Sequence, residues 1–213
     1  MLYFDIGANI GNWSIANIKN SNQIIAVEAS PTTFKKLLDN ITDNTINLYD
    51  NKKIVCINFA VCNNNNEDIV FYENQSDTIS SLNKEWFDNN GSRFYGTKYK
   101  EIICKTITLD NLINIYGLPE LIKIDVEAGE YECISSLTKK VNNLCFEWAS
   151  EFNNISLKCI DYLTSIGFTK FYLQFEDDYT YRPEEKDYVN NIIIKQQLNN
   201  TIPKKDWGMI WCK

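Results

Sequence analysis

Short apolar runs alternate with helix-length segments along most of this chain, and that alternation constrains the fold more than any other feature. Leu2-Tyr-Phe-Asp-Ile6 has the make-up of a buried strand and Gly7 to Gly11 that of a tight turn; Trp13, Ile15, Ala16 and Ile18 then fall at helical spacing. A second strand, Gln23 to Val27, leads into Ser30-Pro31, a natural helix N-cap followed by a residue suited to the first helical position. A third strand is expected at Lys53 to Val61, and the run Asn63 to Asn66 turns the chain into Ile69-Val-Phe-Tyr72. Later strands fall at Glu101 to Thr108, Leu121 to Val126, Leu144 to Trp148, Phe168 to Phe175 and Trp207 to Cys212. Helices are expected from about Asp110, from Glu130 and over about 155–165. Strands separated by helices of this length imply βαβ units, hence an α/β fold whose largely parallel sheet is covered on both faces. With 213 residues, no internal repeat and no linker composition, residues 1–213 are expected to form one domain. The polar stretch 74–98, seeded with Trp86, Phe87, Phe94 and Tyr95, is expected either to cover a site as an insertion or lid, or to be a surface loop whose aromatics fold back onto the core.

Three features of composition narrow the chemistry. The chain has no histidine, so acid–base work near neutral pH falls to carboxylates, Lys, Tyr or Cys, and a His-ligated zinc site is excluded. Its 28 acidic against 21 basic residues argue against a broad phosphate-tracking surface, which makes nucleic acid a disfavoured partner. Seven cysteines, scattered and without a C-x-x-C pair, mostly sit in apolar runs as small hydrophobes, which fits reduced thiols and a cytoplasmic setting. No run approaches membrane-spanning length, Asp5 interrupts the apolar start, and no membrane partner is expected. The weight of Asn and Ile fits an AT-rich genome; for a viral protein the setting would be the host cytoplasm.

In an alternating sheet of this kind ligands sit beyond the carboxyl ends of the strands, near the point where strand order reverses. The first such turn, Asp5-Ile-Gly7-Ala-Asn9-Ile-Gly11, allows close backbone approach. It departs from the G-x-G-x-x-G spacing of dinucleotide binders, and its leading acid suits a cationic or amino-bearing ligand better than a pyrophosphate. The second strand ends in Glu28, and an acid there accepts both ribose hydroxyls of a nucleoside cofactor.

These residues carry a resemblance. Asp5-x-Gly7-Ala-Asn9-x-Gly11, then Glu28-Ala-Ser-Pro31 with Phe34, Leu37 and Asn40, then Ala60, Thr108-Leu-Asp110 with Leu112, and Lys123-x-Asp125-x-Glu127-x-x-Glu130 resemble the FkbM family of S-adenosylmethionine-dependent methyltransferases, over residues 2 to about 150. The resemblance implies a Rossmann-like class I methyltransferase fold: a mostly parallel seven-stranded sheet, last strand antiparallel, with the donor at the first two strand ends. It implies that Asp5, Gly7, Asn9 and Gly11 surround the methionine part of the donor and that Glu28 holds the ribose, with Ala8, Asn12 and Ala29 completing the set. It also implies O-methylation of a sugar, glycan or related small molecule. Two departures stand out. Relatives usually read Lys-x-Asp-x-Glu-Gly-x-Glu, whereas here Glu127-Ala128-Gly129-Glu130 moves the glycine one place, so this turn and the aim of Glu127 are expected to differ. And strand one starts almost at Met1, where relatives often carry a preceding element, so the chain is compatible with a piece of a longer protein.

Transfer to a hydroxyl needs an in-line acceptor, a base for its proton and exclusion of bulk water. Asp125, ending the fourth strand of the series, is the first candidate for base or acceptor-positioner and Glu127, in the turn, the second. Glu147 ends the next strand, and Lys123 lies on the same strand face as Asp125; for both, a structural ion pair and a catalytic role stay open. Asp125 and Glu147 would also suit a hard divalent cation such as magnesium, but two acids are few for a metal site and none is expected. Two competing readings are RNA ribose 2′-O-methylation, which the net charge opposes, and a silent domain that binds the donor or a partner without turnover. Oligomerisation is left open.

Overall fold

The computed structural model describes residues 1–45, 53–76 and 78–213. Ten strands and seven α-helices follow in the order β1 (Leu2–Ile6), α1 (Asn12–Asn17), β2 (Gln23–Glu28), α2 (Pro31–Thr45), β3 (Lys53–Asn58), β4 (Ala60–Val61), β5 (Asp68–Asn74), α3 (Glu85–Asp88), β6 (Tyr99–Ile107), α4 (Leu109–Tyr116), β7 (Leu121–Ile124), α5 (Glu130–Ile134), β8 (Asn143–Ala149), α6 (Asn153–Ser165), β9 (Phe171–Phe175), α7 (Asn191–Asn199) and β10 (Trp207–Cys212). Seven strands form one sheet in the order β3-β2-β1-β7-β8-β10-β9. Neighbours from β3 through β8 run parallel, while β10 is antiparallel to both β8 and β9. The expected seven-stranded sheet with an antiparallel last strand is thus present.

Two strands fall elsewhere than expected. The run Lys53 to Val61 breaks at Phe59: β3 joins the main sheet, and β4 turns away to pair with β6. The strand expected at Glu101 to Thr108 is β6, which pairs antiparallel with β5 in a separate three-stranded sheet, β4-β6-β5. β6 carries exposed charged residues between buried ones, the pattern of a sheet wet on one face, which the fully buried central strands lack.

Local chemistry explains the element ends. Ser30 caps α2 by accepting the Thr33 N–H at 3.1 Å, with Pro31 in the first helical position. Thr108 caps α4 through the Asn111 N–H, and Asn190 caps α7 through those of Ile192 and Ile193. The core lies on both sides of the sheet. Phe4, Ile6, Ile122, Ile124, Leu144 and Phe146 pack toward α5 and α6, while Tyr3, Ile24, Leu121, Met209 and Trp211 pack with Trp13 and Ile18 on the other side. The cysteines are unpaired and all but Cys56 are buried, as their apolar settings suggested. Among the described residues no helix is long and apolar enough to cross a membrane.

This topology positions the site. Strand order reverses beside β1, with β2 on one flank and β7 on the other, so the crevice opens over the carboxyl ends of β2, β1 and β7. Register also sets Asp5 of β1 opposite Lys123 of β7, and Lys123 opposite Cys145 of β8. Side chains alternate between faces, so Asp5 and Lys123 share the Trp13 side, opposite Phe4 and Ile122.

Candidate active site

A cavity of about 470 Å³ lies over these strand ends, walled by Gly7, Ala8, Asn9 and Asn12 from the first turn, Glu28 and Ala29 from the second, and Lys123, Asp125 and Glu127 from the third. The first turn is tightly determined. Gly7 (φ +69°) and Ala8 both donate to the Val27 carbonyl at 2.9 Å, and a Cβ on Gly7 would stand 1.8 Å from the Asp125 carbonyl oxygen. Only glycine therefore lets β1 and β7 close together there. Two residues expected around the donor take a different place. Asp5 is fully buried behind the wall, and Gly11 (φ +88°) faces Leu37 and Ile41, where a Cβ would meet Leu37 at 2.6 Å. Both shape the wall without lining it, because strand alternation turns Asp5 toward α1 and the turn has already bent away at Gly11.

Glu28 is held ready for a ligand. One carboxylate oxygen accepts the Asn9 N–H at 3.0 Å and the other the Ser30 N–H at 2.9 Å, while Asn58 donates to the carbonyls of Glu28 and Ala29. Each carboxylate oxygen keeps a further lone pair, which suits two vicinal hydroxyls. Burial pushes the Glu28 carboxyl up to about 7.

Lys123 is the hub of the third turn. It is 4% exposed; its Nζ stands 3.2 Å from Asp5 Oδ1 and 3.3 Å from Asp125 Oδ2, and donates to the Gly7 carbonyl at 3.0 Å. Burial works against its charge, but Asp125 and Asp5 outweigh that and hold it above the ordinary lysine value. Asp5 in turn accepts from Ser14 Oγ at 2.7 Å. Of the two roles left open for Lys123, the geometry displays the ion pair, with Asp5 as an additional partner.

Asp125, Glu127 and Glu147 meet above this hub, one carboxylate oxygen from each lying within 4.8 Å of the others. Asp125 is ion-paired with Lys123 through Oδ2, at 3.3 Å. Burial, Glu127 and Asp125 push Glu147 well up; burial, Asp125 and Glu130 do the same to Glu127. Three such oxygens could surround a divalent cation, one ligand more than the two acids expected. The Lys123 ammonium already meets part of their charge.

The shifted glycine has a structural consequence. Glu127 (φ +55°) and Ala128 (φ +65°) are both left-handed, while Gly129, at φ −106°, uses no glycine freedom. The conformation sits where relatives place their glycine, and here an alanine adopts it at a cost of about 1 kcal/mol. Contacts from the stretch 74–98 hold it: Ser81 Oγ donates to the Glu127 carbonyl and Asn83 Nδ2 to that of Ala128, the latter at 3.1 Å. Asp77 of that stretch lies outside the described residues. The rest lines the cavity with Thr78, Ser80 and Arg93, while Trp86 and Phe87 pack onto Ala128 and Phe152. Arg93 is anchored by a two-pronged pair with Glu151, at 2.5 and 2.7 Å.

Sequence reasoning missed the segment after β9. Asp177 and Tyr179 line the cavity, and the segment is tied down by Asn17 Nδ2 donating to the Tyr179 carbonyl at 3.0 Å and by Arg182 donating to Asn17 Oδ1 at 2.5 Å. The guanidinium of Arg182 also lies 5.1 Å from the Trp211 ring and 5.9 Å from that of Trp13, contacts that no periodicity signals.

The buried acids make stability depend on pH. Glu28 (about 7) and Glu130 (about 8), with Glu127 and Glu147, keep protons in the fold that the unfolded chain releases near 4.5. Their contribution is present below about 4.5 and lost as pH rises through 7 to 8. Thermal melts of the ligand-free protein are expected to fall by several degrees between pH 5 and pH 8; a rise over that window would show these acids ionised in the fold.

The family model described as Methyltransferase FkbM domain matches residues 5–183. No curated protein matches the sequence. Among solved structures, precorrin-6y C5,15-methyltransferase from Geobacter metallireducens is 15% identical at TM-score 0.47, over all of this chain and 78% of that one. Precorrin 8w decarboxylase from Methanobacterium thermoautotrophicum is 9% identical at TM-score 0.49, over all of this chain and 81% of that one. Both likenesses are too distant to add to what the strand order shows.

Proposed function

The chain belongs to the FkbM methyltransferase family, and from that premise we propose that it moves the methyl group of S-adenosylmethionine to a hydroxyl of a sugar, glycan or related small molecule. The observation that carries the donor half is the Glu28 clamp beside the Gly7 turn: a carboxylate fixed by two backbone N–H groups, with lone pairs to spare, next to a glycine turn that lines the cavity. When bound, the donor supplies an electrophilic methyl carbon whose bond to sulfur breaks as the bond to the acceptor oxygen forms, leaving the electron pair on sulfur. Glu28 holds the ribose, and Gly7, Ala8 and Asn9 give it close approach. Asp125 accepts the proton of the acceptor hydroxyl, and Lys123 fixes its orientation from below.

A hydroxyl-bearing acceptor suits the opposite wall. Trp86, Phe94 and Trp207 present aromatic surface, Glu127, Thr78 and Ser80 offer hydrogen-bonding groups, and the Trp86 Nε1–H is buried without a partner among the described residues. Glu28→Ala is expected to weaken donor binding by ~1–3 kcal/mol in calorimetry, the worth of a lost charge-assisted pair of hydrogen bonds. Incubating the wild type with labelled donor and a panel of methyl glycosides tests the acceptor class. Donor binding without label on any sugar would remove the sugar from this reading.

A further inference from the structure

The β7 end of the cavity gathers one cation and three carboxylates: Lys123 with Asp5, Asp125 and Asp177. The ammonium of Lys123 has three N–H bonds, and Asp5 Oδ1, Asp125 Oδ2 and the Gly7 carbonyl stand around it at 3.2, 3.3 and 3.0 Å. It makes no ion pair with Asp177 among the described residues. That residue is half-buried, lines the cavity, and has no hydrogen bond or ion pair among the described residues. Burial and the charge of Asp125 push its carboxyl up to about 6, with Lys123 pulling only partly the other way.

The sheet order says what would lie there. β1 separates β2 from β7, so Glu28 and Asp125 end strands two spacings apart, roughly 10 Å. A ribose held by Glu28 leaves the amino-acid end of the donor to cross Gly7 toward Lys123 and Asp177. That end carries an α-ammonium, with three hydrogen-bond donors and a full positive charge.

We propose that Asp177 is a donor-binding residue that accepts hydrogen bonds from the α-ammonium of the methionyl group. The proposal rests on the donor reading given above. It assigns to a residue remote in sequence the charge recognition that the position of Asp5 suggested, because Asp5 is already met by Lys123 and Ser14. The segment carrying Asp177 is anchored to α1 through Asn17, so the carboxylate is held at the cavity wall.

Calorimetry on the full chain with two nucleosides tests this. S-adenosylhomocysteine keeps the amino-acid end, whereas 5′-methylthioadenosine lacks it and reports ribose and adenine binding alone. Asp177→Asn is expected to weaken S-adenosylhomocysteine about tenfold and leave 5′-methylthioadenosine within twofold, a difference suited to a partly buried charge pair. Asp177→Glu, which keeps the charge, should recover part of the loss. Equal weakening of both nucleosides would make Asp177 merely structural, and no weakening of either would remove it from the site; both outcomes overturn the proposal while leaving the donor reading intact. A wild-type chain that binds neither nucleoside overturns the donor reading and the proposal together.

Discussion

Lys123→Met is expected to cost 3–5 kcal/mol of folding stability, on the order of what breaking a buried ion pair costs, which is a large fraction of the total for a domain. The substitution keeps the length and bulk of the stem but leaves Asp5, fully buried, with Ser14 as its only other partner. It also removes the donor to the Gly7 carbonyl, which helps hold the first turn against β7. Urea unfolding would measure the loss. Adding Asp5→Asn should return part of it, because the double variant buries no uncompensated charge. If Lys123→Met were as stable as wild type within 1 kcal/mol, on the order of an exposed pair, the hub described here would carry no structural weight.

Asp125→Asn is expected to lower turnover by about 10²–10⁴, the usual contribution of a positioned base, while donor affinity stays within a few-fold. The amide matches the shape of the carboxylate but cannot take the acceptor proton. Lys123 keeps Asp5, so the fold should persist. Single-turnover transfer and donor calorimetry on the same preparation separate the two effects. Normal turnover in this variant would move the base to Glu127 or Glu147, whose carboxyls burial and neighbouring acids already hold well above the usual range. Loss of donor binding together with turnover would instead make Asp125 a donor ligand.

The parts of this molecule written in local pattern were legible from residues alone. The apolar runs that became β1, β2, β7 and β8 are short and continuous because both faces are buried, and a buried parallel strand needs no other signature. Ser30-Pro31 and Thr108 announced their helices through capping chemistry that spans only three residues. Gly7 and Glu28 were legible for the same reason: the turn follows its strand directly, and the acid ends the next one. In the turn before the displaced glycine at 129, Glu127 and Ala128 take the left-handed conformation.

What the pattern could not supply were the encounters between segments far apart in the chain. Asp5 was expected at the donor and lies behind the wall, because register places it opposite Lys123, 118 positions away; each residue's local surroundings are silent about that pairing. The division of β4 and β6 into a second sheet, the docking of Ser81 and Asn83 on the 127–128 turn, and the delivery of Asp177 to the cavity share this character. Periodicity and capping act over a few residues, so the α/β alternation, the Gly7 turn and the acid at 28 could be read from local pattern. Which acids are neutralised and which face the cavity followed from strand order and register, because charge pairing depends on them and the packing of the whole sheet sets them.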